Sequence, residues 1–274
     1  MLRLNLYIKV YSSYVSAIEL NKYILTIVTA VHNNLSGLEK IYNDLYPLLN
    51  GKLQWVIKDS GYSQGIIEWH KILNKKDITL LSSNDFGIYD ALNTALKHVH
   101  ADHYLVIGSD DRVIGNHLLF FLDFLENGKY LNVDLISFPV QIGNKYYGHR
   151  AYIPLSWSIS SLIASHSCGL VIKLSVHNKL GLYSTKYRIL SDSLLILRAY
   201  KAGCKLHYEN FPIGIFSIDG ISSRLTIQRA KEAFKYNLEA GSPFLLQLLF
   251  FSVRILFFII KSLICAIKHA MNKL

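Results

Sequence analysis

The stretch SSNDFGIYDALNTALKHVHADHYLVIGSDDRV, residues 82–113, decides how the chain is read. It opens on the tail of an apolar run and turns at Asp85-Phe86-Gly87. Ile88, Leu92, Ala95, Leu96 and Val99 then recur at helical spacing. HYLVIG, residues 103–108, follows as a short apolar strand that runs into two adjacent aspartates, Asp110 and Asp111. Gly87 permits a tight backbone turn. Asp90 and Asn93 lie three residues apart, so they share one face near the helix start.

Upstream, YILTIVTAV (23–31) is a β-branched apolar run suited to a strand buried on both faces. Ser36 and Glu39 form an S-x-x-E capping box, which predicts a helix start there, with Leu38, Ile41 and Leu45 on one face. LQWVIKDSG reads as a second strand running into Asp59 and a turn, residues 66–73 as a helix, and ITLLSS as a third strand. With HYLVIG as the fourth strand, this alternation predicts an α/β fold: a mainly parallel sheet flanked by helices. Ligands of such sheets bind beyond the carboxyl ends of the strands. Asp59, Asp85, Asp110 and Asp111 all follow strand ends, so they are expected to gather at one edge.

Downstream the pattern loosens. NHLLFFLDFLENG reads as a helix, VDLISFPV as a strand, and the mixed segment 149–173 as a pocket-shaping region. SDSLLILRAYKAGC is a predicted helix with Ser191 as N-cap. KLHYEN and IGIFSI read as short strands, and residues 223–240 as a helix. The last segment, 241–274, starts with Ser242 as N-cap and Pro243 at the first helical position, and is then almost wholly apolar. Its exceptions, Gln247, Arg254, Lys261 and Lys268, are spaced by seven and form one narrow stripe. The favoured expectation is a helix lying in a membrane interface through residues 243–268 with that stripe in water. A helix packed on protein, in this chain or in a homo-oligomer, and a transmembrane span are the alternatives.

Composition agrees with such a chain. The 274 residues are 51% hydrophobic with a formal net charge of +10. That excludes a disordered polymer and suits nucleic acid, an anionic membrane surface or phosphorylated substrates without choosing among them. Cys168, Cys204 and Cys265 are odd in number, with no C-x-x-C, so reduced thiols and a cytosolic face are expected. The first twenty residues have no compact apolar core, and no cleaved leader is read there. No G-x-G-x-x-G follows the first strand, which argues against a dinucleotide enzyme.

Paired aspartates at a strand end suit a hard cation such as Mg²⁺ or Mn²⁺, which takes one or two carboxylates plus substrate phosphates. They also suit a capped turn.

The ordered set of motifs resembles family 2 glycosyltransferases of the GT-A fold over about residues 23–223. ILTIVTAVHNN is similar to their opening strand and loop, WVIKDSGYSQG to their V-D-G-x-S-x-D-G turn, SNDFGIYDALNTAL to their D-x-G-I-Y-D-A-x-N stretch, and YLVIGSDD to their metal motif. Residues 164–208 and IDGIS (218–222) are similar to their acceptor half. The likeness is to bacterial transferases that build colanic acid, O-antigen and other surface polysaccharides. It implies a nucleotide-sugar-binding half at 23–113 and an acceptor half at 114–240, with 1–22 a preceding extension that has no counterpart. It further implies that Asp59 binds the base, most often uracil. Asp85, Asp90 and Asn93 line the nucleotide-sugar pocket, and Asp110 contacts ribose or sugar. Asp111, with Asp110, holds Mn²⁺ or Mg²⁺. Asp192 is the catalytic base and His166 lies near the acceptor pocket. The implied enzyme is an inverting transferase with a glycan or lipid-linked acceptor, peripheral on the cytoplasmic face of the plasma membrane, with no nucleic-acid partner. The chain departs from the pattern at Ser60, Gln64 and Gly108. Rival readings are a degenerate transferase serving as a membrane scaffold and a sugar nucleotidyltransferase.

Overall fold

The computed structural model describes residues 23–148, 166–217 and 227–271. The expected N-terminal extension, most of the mixed segment and the IDGIS motif lie outside them. Strands β1 (Leu25–Val31), β2 (Leu53–Asp59), β3 (Ile78–Ser82) and β4 (His103–Val106) alternate with helices α1 (Leu35–Leu45), α2 (Gln64–Leu73) and α3 (Ile88–Leu96). The four strands pair in parallel, in spatial order β4-β1-β2-β3. Alternation of side chains along the strands splits the core in two. Leu25, Ile27, Leu53 and Trp55 pack with Leu38, Ile41 and Leu45 of α1 on one face. Val28, Val56 and Tyr104 pack with Leu92, Ala95 and Leu96 of α3 on the other. Each buried Leu, Ile or Val among them contributes roughly 1.5–3 kcal/mol.

The second half brings β5 (Arg112–Val113), α4 (Gly115–Glu126), β6 (Leu135–Ser137), β7 (Val140–Ile142), β8 (Lys145–Tyr147), β9 (Leu170–Lys173), α5 (Val176–Leu180), α6 (Ser191–Lys201), β10 (Leu206–Tyr208), β11 (Gly214–Ile215), α7 (Ile227–Glu239) and α8 (Phe244–Met271). The main sheet runs β10-β6-β9-β4-β1-β2-β3, and a smaller one runs β5-β11-β7-β8. β9 lies inside the main sheet, antiparallel to both β4 and β6. It comes from GLVIK, where the sequence pattern singled out no strand. The expected single strand VDLISFPV divides: β6 stays in the main sheet and β7 joins the smaller one. Pro139, at the break, has no N–H to offer a ladder.

Three predicted helix starts shift. The N-cap of α1 is Asn34, whose Oδ1 accepts from the Gly37 amide at 3.0 Å. Ser36 sits inside the first turn, so the Ser36–Glu39 capping box does not form. α6 starts with Leu190 as N-cap, and Ser191 is its first helical residue. The Gln247 amide bonds to the Pro243 carbonyl, so α8 begins at Phe244 and Ser242 lies one residue outside the cap.

The orientation of α8 also corrects the sequence reading. Gln247 is fully buried and Arg254 half-buried. The same side of the helix packs on α7, with Phe234 meeting Phe244 at 6.0 Å and Phe251 at 5.5 Å between ring centroids. At Gln247 and Arg254 the polar stripe therefore faces protein rather than water.

Candidate active site

The parallel register places Val31, Asp59 and Ser82 side by side at the carboxyl edge of the sheet. Asp59, the last residue of β2, is fully buried. Its Oδ1 accepts from the Gly61 amide (3.2 Å) and the Ser63 hydroxyl (3.0 Å). Its Oδ2 accepts from the Ser63 amide (2.8 Å) and the Ser82 hydroxyl (3.0 Å). Burial acts to raise its pKa, but these four donors outweigh burial and hold the carboxyl below its ordinary value. Four bonds fill about the full acceptor capacity of a carboxylate. Asp59 thus fixes the Ser60–Ser63 turn.

Lys58, one residue earlier, has only 1% of its side chain exposed. Its Nζ donates to the carbonyls of Asp59 and Ser83 and to Asp85 Oδ2 at 3.3 Å. Asp85 Oδ1 accepts from the Gly87 amide at 3.0 Å. Gly87 has φ +121°, the left-handed region where the absence of Cβ matters. Asp90 Oδ2 accepts from the Phe86 amide at 3.0 Å. Asp85 and Asp90 therefore shape one tight turn between β3 and α3, with Lys58 beneath it. Asn93 has a different partner: its Nδ2 donates to the Tyr183 carbonyl (2.8 Å) and its Oδ1 accepts from the Tyr183 amide (3.0 Å). These bonds tie α3 to the loop before α6.

The paired aspartates are held from α1. Asn34 Nδ2 donates to the Ser109 carbonyl (3.1 Å) and to Asp110 Oδ1 (2.8 Å) while Oδ1 caps its own helix. A Cβ on Gly37 would stand 2.0 Å from the Ser109 carbonyl oxygen, so only glycine lets α1 approach this loop. Asp110 is exposed. Asp111 is buried, its Oδ1 accepting from the Ser217 amide (3.0 Å) and its Oδ2 from the Gly108 amide (3.2 Å). Burial raises the Asp111 carboxyl to about 6, against those two amide bonds and with help from the Asp110 charge. A Cβ on Gly108 would come 2.9 Å from Asp111 Oδ2, which accounts for glycine before this motif.

Asp192 stands in the first turn of α6. Its Oδ1 accepts from the Ser193 amide (2.7 Å) and the Tyr89 hydroxyl (3.1 Å). Tyr89, buried on α3, also reaches the Ile189 carbonyl at 2.7 Å. Burial raises the Asp192 carboxyl, opposed by these bonds and by the Arg229 charge. Glu232 of α7 accepts the amides of Arg188 (3.1 Å), Ile189 (2.9 Å) and Leu190 (3.1 Å), fixing the turn that delivers Asp192. His166 stacks on Phe216 with ring centroids 3.5 Å apart, one residue from the Ser217 amide that binds Asp111. Burial, then the Arg229 charge, lowers the His166 pKa to about 4, so its ring is neutral at physiological pH.

The structure thus links Asp90 to Asp192 through Tyr89 of the same helix, with Asp85 in the turn just before it, and links Asp110 and Asp111 to α1 and to the chain after β11. Lys58, Asn34, Tyr89, Glu232 and Ser217 are additions to the sequence reading. A lysine directly after the apolar run Trp55-Val56-Ile57 of a buried strand was the one visible signal among them.

This is a fold shared with S. aureus TarS. TarS in complex with UDP-GlcNAc superposes with a TM-score of 0.58 at 15% identity, covering 84% of this chain and 71% of that one. TarS in complex with UDP gives 0.58 at 14% identity, covering 84% and 70%. A longer TarS structure gives 0.56 at 14% identity, and this chain spans 41% of its length. No protein-family model matches the chain, and no curated protein matches it.

Proposed function

We propose that the chain is a glycosyltransferase of the GT-A, family 2 type. In this reading it moves a sugar from a nucleoside diphosphate, UDP favoured, to a hydroxyl of a glycan or lipid-linked acceptor. The observations that carry the reading are the Asp110–Asp111 pair, which follows β4 and is held by Asn34, and the buried Asp192, held against the start of α3 by Tyr89. TarS, of the same fold, has been solved with UDP-GlcNAc and with UDP, which supports a uridine nucleotide here.

The reaction assigned is a single displacement with inversion. The acceptor oxygen forms a bond to the anomeric carbon, and the bond from that carbon to the diphosphate breaks, its electron pair leaving with the diphosphate. Asp192 takes the acceptor proton. A carboxyl raised by burial is a better base for that step than an exposed one. Asp59, Asp85 and Asp90 shape the turns that meet the nucleotide, and neutral His166 borders the acceptor side.

The aspartate pair fits a hard cation. No group of three or more candidate ligands occurs among the described residues. Two carboxylates, each with acceptor capacity left, match an Mg²⁺ or Mn²⁺ ion completed by substrate phosphates. Asp110 and Asp111 would hold it, and a bound cation would supply charge neutralisation on the departing diphosphate. A cytosolic site follows from this reading, since nucleotide sugars are made there, and surface-polysaccharide assembly is the process it fits.

The test is calorimetric titration of nucleotide sugars with Mn²⁺ or EDTA, alongside Asp110→Ala and Asp111→Ala, with diphosphate release followed in parallel. Cation-dependent binding of one donor, lost in both variants, is the expected result. Absence of binding across the panel by folded protein would overturn the proposal. Consumption of a nucleoside triphosphate instead would assign nucleotidyl transfer.

A further inference from the structure

We propose that α8 is the surface by which this protein enters a lipid bilayer, and that it does so with Gln247 and Arg254 on the side docked on α7. The inference is independent of the transferase reading. The segment Phe244–Ile264 has mean hydropathy 2.1 over its most apolar window, of which 6% is buried.

The exposed side of α8 identifies the occupant. Leu245, Leu248, Leu249, Leu256, Phe257 and Ile260 are all exposed. At about 100° per residue they sweep an arc of about 180° centred opposite Gln247. A partner helix covers a narrower stripe than that, whereas lipid covers whatever protein leaves open. Ser252 lies on this arc, and its hydroxyl donates to the Leu248 carbonyl at 3.0 Å, so its polar group is satisfied within the helix. That is the arrangement an apolar medium demands. Gln247 and Arg254, costly in lipid, are on the α7 side. Since that side is occupied, apolar burial rather than attraction of Arg254 to anionic headgroups carries the binding.

The full chain, purified in mild detergent, is mixed with neutral phosphatidylcholine vesicles, freed of detergent and floated on a density gradient. The expected result is flotation with vesicles that persists at high salt. The triple variant Leu249→Asp/Leu256→Asp/Ile260→Asp should remain in the aqueous fraction, with partitioning lowered by about a hundredfold or more. A second variant, Phe257→Trp, keeps the helix apolar. The indole fluorescence it adds should be quenched by vesicles of brominated phosphatidylcholine. The proposal is overturned if the full chain stays in the aqueous fraction or if the triple variant still floats. It is equally overturned if brominated lipid leaves the fluorescence added by Phe257→Trp untouched while light scattering gives a dimer. Nucleotide-sugar titration of the same samples reports on the transferase reading separately.

Discussion

Replacing Lys58 by methionine tests how the candidate site is held. The side chain keeps nearly the same length and volume, so packing changes little. Three bonds disappear: those to the carbonyls of Asp59 and Ser83 and to the Asp85 carboxylate. Asp85, with 8% of its side chain exposed, is left without its cation. Removing one partner of a buried ion pair costs about 3–5 kcal/mol. A domain of this size loses about 2–4 °C of Tm per kcal/mol, so the variant should melt about 6–20 °C lower. The assay is urea and thermal unfolding followed by tryptophan fluorescence, for which buried Trp55 on the same strand is a suitable reporter. Asp85→Asn and the double variant complete a thermodynamic cycle. Because the double variant carries no uncompensated charge, it should recover part of the loss, with a coupling energy of about 2 kcal/mol. A cost for Lys58→Met below about 1 kcal/mol, or costs that simply add, would refute the account of Lys58 as the support of the β3–α3 turn.

Other consequences are open to direct measurement. Asp192→Asn retains an oxygen to accept from Tyr89 and the Ser193 amide, so no bond need be lost. The folded-state pKa of Asp192 is raised, so its ionisation costs stability once pH exceeds the unfolded value, in full above the folded value. The variant should therefore melt higher than the parent at pH 7–8, converge with it in acid, and transfer no sugar; equal melting at pH 7–8 would count against a strained base. Gly37→Ala places a Cβ 2.0 Å from the Ser109 carbonyl, so α1 must retreat from the metal-motif loop. Calorimetry should show at least tenfold weaker nucleotide-sugar binding in that variant, and unchanged affinity would break the link. Cation affinity in the presence of donor should decline as pH falls through about 6, where Asp111 takes up a proton. A flat profile between pH 5 and 8 would exclude Asp111 as a ligand.

The first four strands and their helices were legible because each element carries its own signal: period in the helices, β-branched runs in the buried strands, aspartates at the ends. The gathering of Asp59, Asp85, Asp110 and Asp111 at one edge followed from parallel order alone. What was not legible was partnership across distance. Lys58 finds Asp85 27 positions away, Asn34 finds Asp110 76 away, and Tyr89 finds Asp192 103 away. Nothing local in a sequence selects such pairs. β9 escaped for a related reason: LVIK is short, and its place between β4 and β6 is set by tertiary pairing, not by flanking turn signals. The shift at α1 has a tertiary cause. Asn34 and Ser36 both carry side chains able to cap, and Asn34 takes the place, its Oδ1 accepting from the Gly37 amide while its Nδ2 donates to the Ser109 carbonyl.

The heptad stripe of α8 makes the same point about chemistry. The spacing of Gln247 and Arg254 shows that they share a face, but a shared polar face has two stable destinations, water or a protein partner able to receive it. Choosing between them requires knowing what α7 offers. α7 presents Phe234 to Phe244 and Phe251, which draws that side of α8 inward. With Gln247 and Arg254 turned to protein, the outer half-circumference of leucine, isoleucine and phenylalanine is the part the proposed lipid contact covers. The same α7 supplies Glu232 to the turn before Asp192. α7 therefore both docks the helix proposed to contact lipid and supports the turn before the candidate base.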